Sequence, residues 1–355
     1  MTIVGARPQF IKASILSEKF KNNECINEVL VHTGQHFDVN MSDSFFEDLN
    51  IPKPNYKLSI NSLGHGAMTG RMIEEIERIL KKEAPDLVIV YGDTNSTLAG
   101  AIATKKLGFK LAHIEAGLRS FNNKMPEEIN RILTDRVSDY LFCPTNASIV
   151  NLKREGFEYF DCKIELVGDI MEDTAINFFK IAQKKSNILQ KTPSYFILCT
   201  VHRAENTKNR KKLENLVKAI NYINDHICNV VLPLHPSTKK ALESFNLKLE
   251  CKIIKPVGYL DMLLLINNSQ SVMTDSGGLQ KEAFFLNKFC ITLRDETEWT
   301  ELTDFQYNHL VGADHKKIIK KVRQSLNKKF EKKHDFYGGG KASDKIVEFI
   351  KSNLN

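Results

Sequence analysis

The sequence predicts an α/β protein with two doubly wound, Rossmann-like domains that face one another across a cleft. Short apolar runs alternate with segments of helical periodicity along the chain, which is the order that gives parallel sheets covered by helices. Polar side chains follow the ends of these runs in both halves, and ligands bind beyond the strand ends in such sheets. The length of 355 residues also exceeds the size at which one hydrophobic core stops growing.

The first domain is predicted to span residues 1–185. It opens with a strand over 1–4 and a Gly-Ala-Arg-Pro turn into a helix, which places Arg7 and Lys12 beside the N-terminus of that helix. Cations in this position suit a phosphate group, although Lys12 taken alone could be a surface lysine. The remaining predicted elements are strands at 28–32, 87–91, 110–114, 139–143 and 164–168, and helices at 40–48, within 59–83, and at 96–106, 146–155 and 171–184.

The acidic residues between positions 86 and 131 form the most informative stretch of the chain. Asp93 follows one predicted strand by two residues and Glu115 follows the next strand at once, so both project from the same edge of the sheet. Glu127 and Glu128 follow in the loop after the second strand. Asp93 alone could cap a helix, and the Glu127–Glu128 pair could belong to a first helical turn. The convergence of all these acids at one edge favours a functional site.

The second domain is predicted to span residues 186–340 and to begin with a polar linker, SNILQKTPSY. Residues 341–355 are expected to form a helix that packs back on the first domain. The predicted strands are 195–200, 229–233, 252–254, 271–274 and 289–292, and the predicted helices are 208–225, 237–244, 260–267 and 278–286. Lysine-rich stretches such as 316–333 are interpreted as surface helices.

The segment TDSGGLQKEA is a candidate anion site in this second half. A Ser276–Gly278 turn that enters a helix leaves backbone N–H groups and a positive dipole end open to an anion. Glu282, one turn further on, can accept hydrogen bonds from ribose hydroxyls. The turn could also need glycine for steric reasons alone. No GxGxxG follows the first strand and no GxxxxGKS occurs, which argues against a dinucleotide fingerprint or a P-loop.

The composition is that of an ordinary globular protein and argues against nucleic-acid and membrane partners. The net charge of +7 is mild and no nucleic-acid-binding module is recognisable, so we expect no nucleic acid and instead a small anionic substrate or a lysine-rich surface. No apolar stretch approaches the roughly 20 residues of a membrane helix and no signal-peptide pattern opens the chain, which predicts a cytoplasmic protein without a membrane partner. The seven cysteines are never spaced as zinc ligands, so neither disulfides nor a metal site is expected.

Many segments together resemble the non-hydrolysing UDP-N-acetylglucosamine 2-epimerases, which have a GT-B-like fold. They are GARPQFIK, TGQH, YGDTNST, HIEAGLRS, MPEEINR, CPT, VHRAEN, PLHP, TDSGGLQKEA, LRDETEW and FYGGGKAS. The family's usual opening is closer to GTRPE, whereas this chain has Ala6 and Gln9. With FYGGGKAS, that departure resembles the branch acting on UDP-2,3-diacetamido-2,3-dideoxyglucuronic acid.

The resemblance implies an isomerase that inverts C2 of a UDP-2-acetamido sugar. Removal of the C2 proton would be coupled to departure of UDP from C1, and re-addition of UDP with protonation from the other face would give the epimer. This chemistry needs acid–base groups on both sides of the ring and stabilisation of the leaving pyrophosphate. It needs no cofactor. The family is commonly homodimeric, so a homodimer is also expected.

The resemblance also implies roles for individual residues. It assigns Asp93, Glu115 and Glu127 to proton transfer, with Lys12 and His202 as further catalytic residues. Residues implied in UDP or substrate binding are Arg7, Ser276, Gly277, Gly278, Glu282, Arg119 and Glu298. In some members a second substrate molecule acts as an activator, through positions that match Gln35, His36, Arg71 and His235.

Several alternatives stay open from the sequence. His202 could be a strand-end cap, and Glu115 could pair with Arg119 at helical spacing. A hydrolysing UDP-N-acetylglucosamine 2-epimerase would use the same first elimination, but its family lacks the Arg-Pro-Gln/Glu opening. A GT-B glycosyltransferase shares the fold and needs an acceptor groove rather than clustered carboxylates, and a nucleotide-sugar sensor has no use for those acids.

Overall fold

The computed structural model describes residues 1–35 and 52–354, which fall into two compact units. The first unit is Met1–Thr174 with Asp335–Asn355, and the second is Ala175–His334. The helix predicted over 40–48 and the candidate residue His36 lie outside the described residues.

The first unit is a seven-stranded parallel sheet with helices packed against it. Its strands are β1 (Thr2–Val4), β2 (Leu30–His32), β3 (Tyr56–Lys57), β4 (Val88–Tyr91), β5 (Leu111–Ile114), β6 (Tyr140–Cys143) and β7 (Lys163–Leu166). Its helices are α1 (Arg7–Lys21), α2 (His65–Glu83), α3 (Asn95–Lys106), α4 (Pro126–Val137) and α5 (Asn146–Arg154), and α6 (Ile170–Lys185) contains the unit boundary. The strand order is β3-β2-β1-β4-β5-β6-β7, so it reverses between β1 and β4.

The second unit repeats this architecture with six parallel strands. They are β8 (Phe196–Thr200), β9 (Asn229–Pro233), β10 (Lys252–Ile254), β11 (Val272–Thr274), β12 (Cys290–Thr292) and β13 (Asn308–Leu310). The helices are α7 (Ala204–Thr207), α8 (Arg210–His226), α9 (Pro236–Ser244), α10 (Tyr259–Asn268), α11 (Gly277–Phe285), α12 (Thr300–Asp304) and α13 (His315–Leu326). The order β10-β9-β8-β11-β12-β13 reverses between β8 and β11. Each unit is therefore doubly wound, as predicted.

The last helix, α14 (Ala342–Asn353), belongs to the first unit. The ring of Phe349 lies 5.2 Å from the rings of Tyr140 and Phe142 in β6. Asp344 forms an ion pair with Lys19 of α1. These contacts fix α14 beside the sheet of that unit.

The helices that cover the first sheet bury two different kinds of surface. Helix α2 places Met72, Ile76 and Leu80 in the core at a spacing of four, the ordinary apolar stripe of a helix. Helix α4 instead buries Glu128, Asn130, Arg131 and Asp135 and exposes Ile129 and Leu133. Because buried charges are costly unless they are paired, the buried face of α4 marks a built polar site.

The structure differs from the predictions at several elements. The helix predicted over 208–225 begins only at Arg210, because the side chain of Asn209 accepts the N–H of Lys212 and caps α8 there. Helix α13 ends at Leu326, so the prediction of helix up to residue 333 is wrong. The linker contains a short 3-10 helix at Ile188–Lys191. The short elements β3, β13 and α12 were not predicted.

Within the described ranges, no helix is both long and apolar enough to cross a bilayer.

Candidate active site

The carboxyl ends of β1, β4 and β5 bring a lysine and an acid together in the first unit. The ammonium group of Lys12, in the second turn of α1, contacts the Glu115 carboxylate directly. The two side chains are only 14% and 7% exposed, respectively. These ends flank the point where the strand order reverses, which is where ligands bind in doubly wound sheets.

Glu115 is held in an unusual backbone conformation next to the Gly92 turn. Its φ is +70°, a region that non-glycine residues rarely adopt and that costs about 1–3 kcal/mol. Gly92 has φ +62°, and a Cβ on it would lie 3.2 Å from Oε2 of Glu115. The turn after β4 therefore packs closely against this acid, and a larger residue at position 92 would displace it.

Asp93 is held by α4. Its carboxylate pairs with the guanidinium of Arg131, and its backbone carbonyl accepts a hydrogen bond of 2.9 Å from the side chain of Asn130. The Asp93 side chain stays one-third exposed, whereas Arg131 is nearly buried. Asp93 is thus fixed in orientation and still open on one side.

The two neighbouring acids of the MPEEINR segment, Glu127 and Glu128, have different surroundings in the structure. Glu128 is fully buried and accepts the backbone N–H groups of Ser120 and Phe121 at 2.9 and 2.8 Å and the guanidinium of Arg131 at 2.9 Å. Glu127 is half-buried, and no hydrogen bond or ion pair joins it to another described residue. Glu128 therefore organises the loop, and Glu127 is the acid left available.

Arg119 does not pair with Glu115, so that alternative is wrong. Its three guanidinium nitrogens are engaged by Asp135, Glu155 and the carbonyl of Leu118, and its side chain is 1% exposed. Burial alone would lower the pKa of Arg119, but the hydrogen bonds to Glu155 and the charge of Asp135 raise it above its ordinary value. The structure thus places Arg119 in an internal ion-pair network rather than on a ligand-facing surface.

The remaining candidates of the first unit lie on several different elements. Arg7 is the first residue of α1 and is half-buried. The side-chain oxygen of Gln35 accepts the N–H and the hydroxyl of Ser96 at 2.9 and 2.7 Å, which ties it to the start of α3. Arg71 is exposed on α2. Gln9 bridges the N–H of Gly5 and the carbonyl of Tyr91, so it braces β1 against β4.

In the second unit, a buried acid at the end of β11 organises the loop after β8. Asp275 is fully buried and accepts the backbone N–H groups of His202 and Arg203 at 3.0 Å and the side chain of Asn206 at 3.1 Å. His202 also places Nδ1 3.4 Å from this carboxylate and its ring 5.9 Å from that of His235. Burial lowers the pKa of His202, His235 and Arg203 lower it further, and Asp275 opposes the shift.

The Ser276–Gly278 turn starts α11, as predicted. The hydroxyl of Ser276 accepts the N–H of Leu279 and caps the helix. The first N–H groups of a helix have no partner within the helix, so the turn offers donors to an anion. A Cβ on Gly277 would lie 2.5 Å from Glu298 and 3.7 Å from the Arg203 guanidinium, whereas one on Gly278 would meet nothing within 4 Å.

Glu298, Trp299 and Glu282 surround this turn. Glu298 accepts a 2.8 Å hydrogen bond from Arg294, and the indole N–H of Trp299 donates to the carbonyl of Gly277 at 2.9 Å. Glu282 is nearly buried, and burial raises its pKa to about 7 against the opposing effects of Lys281 and a hydrogen bond with Tyr259. These contacts hold the turn in one conformation.

Several residues of these sites were missed by the sequence analysis. Arg131 lies three residues after Glu128 and four before Asp135, a helical spacing of alternating charges that could have indicated one paired face. Asp275 and Arg203 stand at strand ends among the polar candidates, but the sequence did not show that they lie together, because the partners of Asp275 are distant in the sequence. Trp299 was not singled out. No set of three or more His, Cys, Asp or Glu side chains in the described part of the chain could hold a metal ion.

Comparison with known proteins identifies close relatives over the full length. The family model described as UDP-N-acetylglucosamine 2-epimerase matches residues 18–351. The chain is 54% identical over 350 residues to the UDP-2,3-diacetamido-2,3-dideoxy-D-glucuronate 2-epimerase of Pseudomonas aeruginosa, with 99% of this chain and 98% of the relative covered. It is 46% identical over 361 residues to the UDP-N-acetylglucosamine 2-epimerase of Methanocaldococcus jannaschii, covering 98% and 97%.

The fold agrees with solved structures. A crystal structure of Methanocaldococcus jannaschii UDP-GlcNAc 2-epimerase in complex with UDP-GlcNAc and UDP superimposes with a TM-score of 0.88 at 44% identity, covering 99% of both chains. A structure of the Neisseria meningitidis enzyme bound to UDP-GlcNAc gives a TM-score of 0.86 at 29% identity, again covering 99% of both.

Proposed function

The chain belongs to the UDP-N-acetylglucosamine 2-epimerase family, and on that premise we propose that it inverts C2 of UDP-2,3-diacetamido-2,3-dideoxyglucuronic acid to give the manno epimer. As a member of this family it is an isomerase that acts on a UDP-sugar. The predicted fold and enzyme class are confirmed.

The observation that carries the proposed chemistry is the paired Lys12–Glu115 site, which packs against the turn that bears Asp93. The C2 proton of a sugar is weakly acidic, so its removal must be concerted with departure of UDP from C1. Carboxylates on separate turns supply a base for one face of the ring and an acid for the other. Two acids are fixed in orientation: Glu115 by the ammonium group of Lys12, and Asp93 by Arg131. Glu127 is proposed as a third acid of the site.

The second unit supplies the groups that a departing UDP needs. The Ser276–Gly278 turn presents N–H groups and the positive end of α11 to the pyrophosphate, and preorganised donors of this kind stabilise developing charge without reorganisation. His202, beside the switch point of the second sheet, is proposed to donate to a phosphate oxygen. Glu282 is proposed to accept the ribose hydroxyls. Arg7, at the start of α1, is proposed to contact the substrate's anionic groups in the first unit.

Arg119 and Glu298 act through other residues in this proposal. Arg119 is enclosed by Asp135 and Glu155, so it supports the fold of the acid-bearing loop. Glu298 packs against the Gly277 turn and holds it in place. The activator site remains a prediction. Its residues are Gln35, His36, Arg71 and His235. The homodimer and the cytoplasmic location stay predictions as well.

The choice of sugar is supported by the higher identity to the diacetamido-glucuronate enzyme, 54% against 46% for the UDP-N-acetylglucosamine enzyme of Methanocaldococcus jannaschii. A direct comparison of kcat/KM for the two UDP-sugars tests it. We expect the uronate to be turned over more efficiently. A preference for UDP-N-acetylglucosamine would overturn the substrate assignment and leave the epimerase class intact.

A further inference from the structure

We propose that His113 is a buried imidazolium, protonated on both ring nitrogens, that positions the Gly92–Asp93 turn for proton transfer. His113 lies in β5 and is fully buried. Its Nδ1 is 2.6 Å from a carboxylate oxygen of Asp135, and its Nε2 is 2.7 Å from the carbonyl oxygen of Gly92. Both nitrogens therefore face oxygen atoms at hydrogen-bond distance.

Neither of these partners can donate a proton to the ring. A backbone carbonyl oxygen only accepts, so Nε2 must carry hydrogen. The Asp135 carboxylate also accepts the N–H of Gly117 at 3.0 Å and the Arg119 guanidinium at 2.7 Å, which is the environment of an ionised acid. Nδ1 must then carry hydrogen as well. A ring that donates from both nitrogens has a charge of +1.

His32 provides an internal contrast. It is a buried histidine at the end of β2, and its Nδ1 accepts the backbone N–H of Gly34 at 3.0 Å. A nitrogen that accepts carries no hydrogen, so His32 is neutral. Burial, with a smaller effect of Lys57, lowers the pKa of His32 to about 4. Two buried strand histidines of one unit thus have opposite hydrogen-bond patterns.

The charges around His113 balance when it is cationic. Asp135 and Glu155 contribute two negative charges, and Arg119 contributes one positive charge. The thiols of Cys143 and Cys162, which also interact with Asp135, stay neutral because burial raises the pKa of each above its ordinary value. With His113 neutral, these groups would carry a net charge of −1; Glu155, the outermost of them, is about one-third exposed.

The position of this cation links helix α4 to the catalytic turn. Helix α4 holds the turn through Asn130 on the Asp93 carbonyl and through Arg131 on the Asp93 carboxylate. Asp135, one turn further along α4, reaches the Gly92 carbonyl through the ring of His113. His113 is thus a positioning residue for Asp93, and this kinetic consequence rests on the proposed function.

The protonation state is tested by nitrogen NMR on the full chain labelled with ¹⁵N-histidine. At pH 8 we expect His113 to show two protonated ring nitrogens and His32 to show one protonated and one bare nitrogen. Spectra are assigned by the loss of one signal set in His113→Gln and in His32→Gln. A bare nitrogen on His113 at this pH would overturn the proposal. This measurement is independent of any enzymatic activity, so it stands whether or not the proposed function holds.

The positioning role is tested by kinetics. In His113→Gln the charge and the bond to Asp135 are lost, and we expect kcat for epimerisation to fall about 10- to 100-fold with UDP affinity changed less than about twofold, because small misplacements of a reacting group cost this much. Asp135→Asn should have the same effect and should remove one proton from His113 in the NMR experiment. Glu74→Gln, at an exposed acid on α2 outside this network, is the control and should keep both kcat and the two-proton signature. Wild-type kcat in a folded His113→Gln protein would refute the role.

Discussion

The guanidinium of Arg131 bonds directly to the carboxylate of Asp93, and its other terminal nitrogen bonds to the buried Glu128 at 2.9 Å. Glu128 in turn accepts the backbone N–H groups of the loop at Ser120 and Phe121. One arginine therefore couples the turn after β4 to the loop after β5. In our account this coupling orients an acid that must face C2 of the sugar.

Arg131→Lys should lower kcat about tenfold or more and leave UDP affinity nearly unchanged. Lysine keeps the charge but lacks the planar fork that reaches two carboxylates at once. Steady-state kinetics with equilibrium UDP binding measure the two effects separately. Arg78→Lys, in an exposed ion-pair cluster on α2, is the control and should match the wild type. Equal losses of kcat and UDP affinity would contradict a role confined to the acid.

Asp93→Asn and Glu115→Gln should each abolish epimerisation with UDP affinity nearly intact. The amide removes the proton-accepting group and keeps its size, while the turn proposed to bind the pyrophosphate, Ser276–Gly278, belongs to the second unit. Exchange of the C2 proton with solvent and UDP titration are the measurements. Glu74→Gln, a change at an exposed acid, serves as the control. Full turnover in either variant would remove that residue from the mechanism.

Gly277→Ala should weaken UDP binding by about tenfold or more. The added Cβ would lie 2.5 Å from a carboxylate oxygen of Glu298, so that side chain must move away, and the new methyl group would stand beside the N–H donors proposed for the pyrophosphate. A tenfold loss corresponds to about 1.4 kcal/mol. Titration calorimetry with UDP measures the loss. Gly70→Ala is the matched control, because a Cβ at that helical position meets nothing within 4 Å. It should leave UDP binding unchanged and slightly stabilise α2. Unchanged affinity in Gly277→Ala would exclude the turn from the UDP site.

Glu282 should make stability fall as the pH rises. Its pKa is raised from 4.5 to about 7 in the folded protein, so the folded state holds a proton that the unfolded state loses above about pH 4.5. The stability that this proton contributes is complete below pH 4.5 and is lost as the pH rises through 7. The free energy of unfolding is measured by urea titration for the wild type and for Glu282→Gln. Between about pH 4.5 and 8 the value for the wild type should fall relative to that of the variant. Glu250→Gln, at an exposed position, should show no such trend; a pH-independent difference for Glu282→Gln would contradict the raised pKa.

Much of the fold could be predicted because its signals are local. Apolar runs predicted the buried strands Val88–Tyr91 and Leu111–Ile114. The Ser-Gly-Gly turn at Ser276 predicted the start of the helix that follows it. The edge strands β3 and β13 could not be predicted, since Tyr56–Lys57 and Asn308–Leu310 have no apolar run and pair only through the sheet.

The site was harder to predict than the fold. The residue pattern alone could not distinguish Glu127 from Glu128, although the family resemblance selected Glu127. Neighbouring residues on a helix point about 100° apart, and only the tertiary structure decides which one meets Arg131. The family resemblance placed Arg119 among the binding residues, and only the tertiary structure shows that Asp135 and Glu155 engage its guanidinium. The sequence does not reveal whether a charged side chain pairs with another residue or binds a ligand.

The central claim is that the enzyme removes the C2 proton as UDP leaves C1. It then adds UDP back at C1 and protonates C2 from the other face of the ring. Incubation with UDP-2,3-diacetamido-2,3-dideoxyglucuronic acid in deuterated water tests it most directly. We predict the manno epimer of the UDP-sugar with one deuterium at C2 and without free sugar. Release of free sugar with UDP, or an epimer that carries no deuterium, would contradict the account.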